Sequence, residues 1–205
     1  MQHSSLHLVT APTDEPVTLA EAKLHLRVTQ AHEDTLITAL ISAAREHVEG
    51  VTGRVLMPQT WAVGLTAFPG SCGGIELPRP PLAEVLSFTT YAEAGIGVEM
   101  AGGWQVVADS GPMAQPGKVY PATGTSWPAI TGDGMRRVVH LTYRCGYASA
   151  ATVPAPLKAA MLLTIGDLYE NREGGISFRG GAPRAITANP TVERLLSPYR
   201  VVSVR

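Results

Sequence analysis

The sequence predicts an α+β protein, a helical bundle formed by N- and C-terminal helices with an antiparallel β region inserted between them. Three observations carry this expectation. Apolar residues recur at helical spacing near both ends, they alternate with polar or small residues through the middle, and no helical stretch between Arg54 and Tyr147 is long enough for βαβ crossovers. The expected organisation is residues 1–56 as the N-terminal helical part of the core, 57–147 as the β insertion, and 148–205 as the C-terminal helical part with a terminal tail.

The elements follow in order. Residues 1–12 read as a loosely ordered terminus that includes His3 and His7. Thr18-Leu-Ala-Glu21 is a capping-box pattern, in which the Thr18 hydroxyl accepts from a backbone N–H while Glu21 reaches back to the Thr18 amide. Leu19, Ala22 and Leu26 then fall at helical spacing. A second helix starts at about Glu33, its apolar stripe running through Leu36, Ile37, Leu40, Ile41, Ala44, Val48 and Val51. Glu33, Arg45, Glu46 and Glu49 are expected on its other faces, and Gly53 offers a left-handed stop. Beyond Arg54 the period becomes two: Trp61, Val63 and Leu65 alternate with Ala62 and Gly64, and Val139, Leu141 and Tyr143 alternate with His140 and Thr142. Short runs at Ile75–Leu77, Val85–Phe88, Val98–Met100, Trp104–Val107 and Lys118–Tyr120 lie between Gly and Pro clusters, so five to seven antiparallel strands are expected.

A third helix follows Pro154 and Pro156, since proline fits a first turn where its missing N–H would be unpaired anyway. Its stripe is Leu157, Ala160, Met161, Thr164, Ile165, Leu168 and Tyr169, and Gly174-Gly175 is its expected end. Residues 174–188 read as a mobile loop. Asn189-Pro190 opens a short last helix through Val192, Leu195, Leu196 and Tyr199. The tail from Tyr199 to Arg205 alternates apolar and polar residues, a strand pattern with no evident place in a finished bundle.

Composition narrows the function. Of the 205 residues 45% are apolar and 16% charged, a low charge content that extra subunit contacts would explain. A formal net charge of −1 supplies no overall field for gripping a polyanion, so dedicated nucleic-acid binding is disfavoured. The two cysteines, Cys72 and Cys145, stand apart and suggest neither a zinc site nor a disulfide framework, which fits a reducing compartment. No run approaches a membrane span, and the first residues lack the pattern of a secretory signal.

Catalytic and metal motifs do not assemble. His32-Glu33-Asp34 sits at a helix start, where acids complement the dipole. His47-Val48-Glu49 contains H-x-E, but no P-C-x-x-C follows to complete a zinc site. His25 and His47 have no second histidine four residues on, and Cys145, beside Arg144, has no base nearby in sequence. Walker, G-x-S-x-G and G-x-G-x-x-G patterns are absent. Trp61, Trp104, Trp127, Tyr91, Tyr120 and Tyr143 could form a carbohydrate platform, yet their scatter through alternating strands reads as core. No enzyme, metal or cofactor is therefore expected. Asp167, Glu170 and Arg172, near the end of the third helix, are charged groups suited to setting orientation at a subunit contact.

Several segments together resemble one family. The run Glu15-Pro-Val-Thr-Leu-Ala-Glu-Ala-Lys23 and its continuation to Arg54, then Leu77-Pro-Arg-Pro-Pro-Leu82, Val153-Pro-Ala-Pro-Leu157, Tyr169-Glu-Asn-Arg-Glu173 and Leu195-Leu-Ser-Pro-Tyr-Arg200, are similar to the head-tail connector (adaptor) proteins of long-tailed bacteriophages and gene transfer agents, in the longer branch with a β insertion. Cys145 departs from the small uncharged residue usual there. The resemblance implies a structural virion protein of the neck, assembled in the bacterial host cytoplasm as a homo-oligomeric ring, a dodecamer on the portal. It implies a portal protein on one side, a tail-completion or stopper protein on the other, and double-stranded DNA passing without specific binding. In that setting Tyr199, Arg200, Val201, Val202, Val204 and Arg205 are the expected portal-docking residues, and a chain ending at Pro198 is expected to fold but not to dock. The competing readings are another virion protein, such as a tail terminator, or a carbohydrate-binding or carbohydrate-active protein.

Overall fold

The computed structural model describes residues 5–91, 97–129, 138–171 and 189–201, and the backbone alone at 175–176 and 184–185. The chain divides into two compact units, one of Met1–Thr13 with Met57–Ala148 and the other of Asp14–Leu56 with Ser149–Arg205.

The first unit is built from strands β1 (Ser5–Thr10), β2 (Gln59–Leu65), β3 (Ile75–Leu77), β4 (Leu82–Tyr91), β5 (Gly97–Glu99), β6 (Trp104–Val107), β7 (Gly117–Pro121) and β8 (Val139–Cys145). They form two antiparallel sheets, one ordered β1-β2-β8-β4-β5 and one ordered β3-β7-β6. The alternation in β8 is the cleanest: Val139, Leu141, Tyr143 and Cys145 are buried, while His140, Thr142 and Arg144 face out or lie half-buried. β2 departs from the expected alternation and buries Ala62, Val63, Gly64 and Leu65 alike. Register shifts interrupt β4 between Leu82 and Glu84 and between Val85 and Ser87, which re-aim the strand so that Phe88 and Thr90 turn inward.

The terminal strand β1 corrects an expectation. His7 lies not in a loose terminus but on an edge strand paired with Ala62, so the first residues join the β unit rather than the helices. Backbone pairing explains this, since Leu6, His7 and Leu8 find open partners along β2. An aromatic cluster supports this unit: Phe68 stacks on Trp127 at 4.8 Å, and Phe88 meets the Trp127 edge at 5.7 Å and Trp104 at 5.9 Å. The Trp127 ring nitrogen donates to the Gly73 carbonyl at 2.7 Å, so the ring is packed and satisfied rather than displayed.

The second unit is the helical bundle, with α1 (Leu19–Leu26), α2 (Asp34–Thr52), α3 (Ala155–Glu170) and α4 (Pro190–Leu196). Its capping box forms as read: the Glu21 amide donates to the Thr18 hydroxyl at 3.2 Å and the Thr18 amide donates to the Glu21 carboxylate at 2.7 Å. α2 buries Ile37, Ile41, Ala44 and Val48, each isoleucine contributing about 1.5–3 kcal/mol by leaving water. Its stripe is narrower than the sequence suggests. Leu36 is 36% exposed, whereas Arg45 and Glu49, expected on other faces, are buried. They are tolerated there because they neutralise one another, Arg45 donating to Glu49 at 3.2 Å and to Glu15 at 2.9 Å.

Two further ends differ from expectation. α3 stops at Glu170, before Gly174, because the Asn171 side chain folds back onto the Asp167 carbonyl at 2.9 Å and ends the helix with a polar cap. Within the stretch read as a mobile loop, β9 (Gly175–Ile176) pairs antiparallel with β10 (Arg184–Ala185), and the rest lies outside the described residues.

Candidate functional site

The end of the chain is held by the end of α2. Gly53 takes a left-handed φ of 71° and its amide caps the helix on the Glu49 carbonyl at 2.9 Å. This leaves the Thr52 carbonyl pointing outward, where it accepts the Val201 N–H at 2.8 Å. Arg54, fully buried, donates its Nε to the Tyr199 carbonyl. α4 is started by Asn189, whose side chain accepts the Thr191 N–H at 3.0 Å, and a 3-10 turn over Ser197–Tyr199 delivers the chain to this point. Arg200 pairs with Glu193 of the same chain. Tyr199, Arg200 and Val201 are thus brought together at one exit, while Val202, Val204 and Arg205 lie outside the described residues. Arg54 and Thr52 were not singled out from the sequence, and Gly53 was read only as the stop of the helix. A cation directly behind a helix-stop glycine was the available signal.

Near the end of α3, Asp167 accepts the Asn189 side-chain N–H at 3.1 Å, and Glu170 is exposed one turn on. The Tyr169 hydroxyl donates to Glu33, and Lys23 pairs with Asp34, so the His32-Glu33-Asp34 run pins helix ends together. Arg172 lies outside the described residues.

The Leu77–Leu82 segment links the two sheets of the β unit. Pro78, Pro80 and Pro81 have no N–H to satisfy, and two of their carbonyls serve as acceptors, Pro78 for the Tyr143 hydroxyl at 2.8 Å and Pro81 for the Gly146 amide at 2.8 Å. The Arg79 guanidinium lies 5.0 Å from the ring centre of Trp61, a half-buried residue of β2. Burial pushes the Tyr143 hydroxyl above its usual range, the nearby Cys145 adds to that, and Arg79 opposes it. Glu21 is held below the ordinary carboxylate range by its hydrogen bonds from Thr18 and, secondarily, by Lys158. Cys145 is buried within β8 and Cys72 is exposed.

No arrangement for nucleophilic or acid–base chemistry converges among the described residues: Glu49 is bound to Arg45 and to the Leu56 amide, and the tryptophans lie in packing contacts. Among those residues no group of three or more His, Cys, Asp or Glu is placed to hold a metal ion, and no helix is long and apolar enough to cross a membrane.

Comparison with known proteins places this geometry. Residues 16–97 match the family described as phage gp6-like head-tail connector protein. Among solved structures, the chain is similar to a chain from the neck of an empty gene transfer agent particle computed with C6 symmetry, with 27% identity and a TM-score of 0.76 over 98% of this chain and 97% of that one. A chain from the virion of a native gene transfer agent particle gives 28% identity and a TM-score of 0.73 over the same shares, 98% and 97%. A third, from the neck of a native particle computed with C12 symmetry, gives 26% and 0.70, again over 98% and 97%. No curated protein matches by sequence. The matched segment runs from α1 into the β unit, and the structural likeness extends over nearly the whole of both chains, so the chain is similar to the phage gp6-like head-tail connector family over residues 16–97 and to neck proteins of gene transfer agent particles throughout.

Proposed function

We propose that this protein is a structural, non-enzymatic component of a virion neck, assembled in the bacterial host cytoplasm, where copies form a ring between the portal of a DNA-filled head and the tail-completion proteins. The observation that carries the reading is the likeness over nearly the full length of both chains to neck proteins of gene transfer agent particles, in structures computed with C6 and C12 symmetry. A dodecamer matches the higher of those symmetries. Double-stranded DNA crosses the ring without being gripped, and a net charge of −1 suits a channel through which phosphates must slide.

Portal docking is assigned to the tail, residues Tyr199, Arg200, Val201, Val202, Val204 and Arg205. Its root is fixed by Arg54 and Thr52, so a short segment is presented from a defined point rather than from a freely moving end. A single such tail binds weakly, because ordering costs about 1–2 kcal/mol per residue, and repetition around a ring turns weak contacts into a strong one. Asp167 and Glu170, with Arg172, act at contacts between copies. The test is co-sedimentation with portal rings of the full chain and of a chain ending at Val201. Retained folding with loss of most portal binding is expected, and undiminished binding by the shortened chain would place the docking surface elsewhere.

A further inference from the structure

The β unit has four edge strands, β1 and β5 at the ends of the five-stranded sheet and β3 and β6 at the ends of the three-stranded one, and among the described residues no strand pairs with their outer sides. An open edge invites another chain, and folded proteins guard it with short strands, charges, prolines or bulges. Two of the four are guarded in this way. β3 and β5 have three residues each, with exposed Glu76 in the one and exposed Glu99 in the other, and Pro78 directly follows β3. The other two carry neither charge nor proline. β1 pairs in unbroken register with β2 from Ser5 to Leu8, its register shift coming only after Leu8, and β6 runs from Trp104 to Val107, a matching length of four residues.

What these two edges expose is apolar. Val106 lies in register with buried Val119 and so shares the inner face of its sheet, yet it is 41% exposed, and Val107 on the opposite face is 56% exposed. In β1, Leu8 lies in register with Trp61 and is 44% exposed. A strand laid alongside either edge would cover these side chains and take up the outward N–H and C=O groups. The two edges also lie on opposite flanks of the unit. β6 follows β5 across residues 100–103, with its Trp104 ring 5.9 Å from Phe88 of β4, whereas β1 is at the far end of that sheet, four strand spacings or about 19 Å from β5. Resting on the ring reading above, we propose that the β6 edge of one copy adds to the β1 edge of the next, so that strand pairing joins the copies around the ring. A second copy is the occupant because the two unguarded edges match in length and apolar character and face opposite ways. A contact repeated by rotation requires two such different surfaces, and the similar necks were computed with C6 and C12 symmetry.

With Cys72 replaced by serine, and Cys145 shielded at 1% exposure, Leu8→Cys and Val106→Cys are placed in one chain, and rings assembled on the portal are treated with a short bismaleimide. A ladder of covalent multimers is expected from the double variant and monomers from each single one. Monomers alone from the double variant, while micrographs of the same sample show rings, would overturn the proposed contact. Dimers from Leu8→Cys alone would replace it with a two-fold contact, and an adduct of either single variant with the portal would give that edge to the portal instead. In parallel, Leu8→Lys and Val106→Lys should each raise the concentration for half-assembly by about tenfold or more, because each puts a charge on an edge that must pair. Thermal unfolding of the free chain should be nearly unchanged in both, since the replaced side chains are already exposed. Unimpaired assembly by either lysine variant counts against the contact. If the unmodified chain forms no ring, with or without portal, the ring reading itself fails, a result distinct from a wrong edge.

Discussion

Arg45 sits 7% exposed in the middle of α2 and gathers Glu15, Glu46 and Glu49 around one guanidinium. Replacing it by methionine keeps much of the volume but strands Glu49 in the interior, and the expected loss is about 3–5 kcal/mol in urea unfolding. Adding Glu49→Gln removes the stranded charge while keeping an acceptor for the Leu56 amide, so the double variant should recover part of that loss. Tyr143 gives a pH test. Its neutral form is favoured in the fold, so its contribution is complete below the usual phenol value of 10.0 and fades as rising pH ionises the unfolded chain. Tyr143→Phe should cost about 1 kcal/mol at neutral pH through the lost bond to Pro78, and should flatten the decline in stability above pH 10. Glu21 works in the opposite sense. Its lowered value means its contribution is complete above 4.5 and fades as the pH falls through the folded value, so Glu21→Gln should weaken the fold at neutral pH and converge with the parent in acid.

At the scale of elements, the tail alters an expectation drawn from the sequence. A chain ending at Pro198 loses the Tyr199 carbonyl that Arg54 binds and the Val201 amide that Thr52 binds, so it should be destabilised by about 2 kcal/mol, whereas ending at Val201 should cost little. Thermal unfolding of the two shortened chains separates these cases. The tail's anchor was illegible in the sequence because it depends on partners 145 residues apart. Local features were legible for a matching reason: the Thr18 box, the Gly53 stop and the Asn189 cap are each closed by neighbours within a few residues. The alternation of β8 was equally plain, but the division of the strands into two sheets, and the capture of Ser5–Thr10 by β2, are decided by long-range pairing that periodicity does not encode. The exposed Leu168 shows the same limit, since an apolar stripe says which face of a helix is buried but not where along the helix its cover stops.

For the whole molecule, the two units differ in what they leave open to attack. Ser71 and Gly73 are tied to Trp127, and Pro112 is held by Tyr147, while the stretch from Ala108 to Gly111 is exposed throughout. Limited proteolysis should therefore cut first between Ala108 and Gly111, leaving the helical unit uncut; early cuts inside α2 would contradict this layout. The central claim is that the protein joins head to tail as a ring seated on the portal. Negative-stain images of the purified protein mixed with its portal test this most directly. The account predicts a second ring coaxial with the portal on its tail-facing side, and portals that remain bare beside free protein would contradict it.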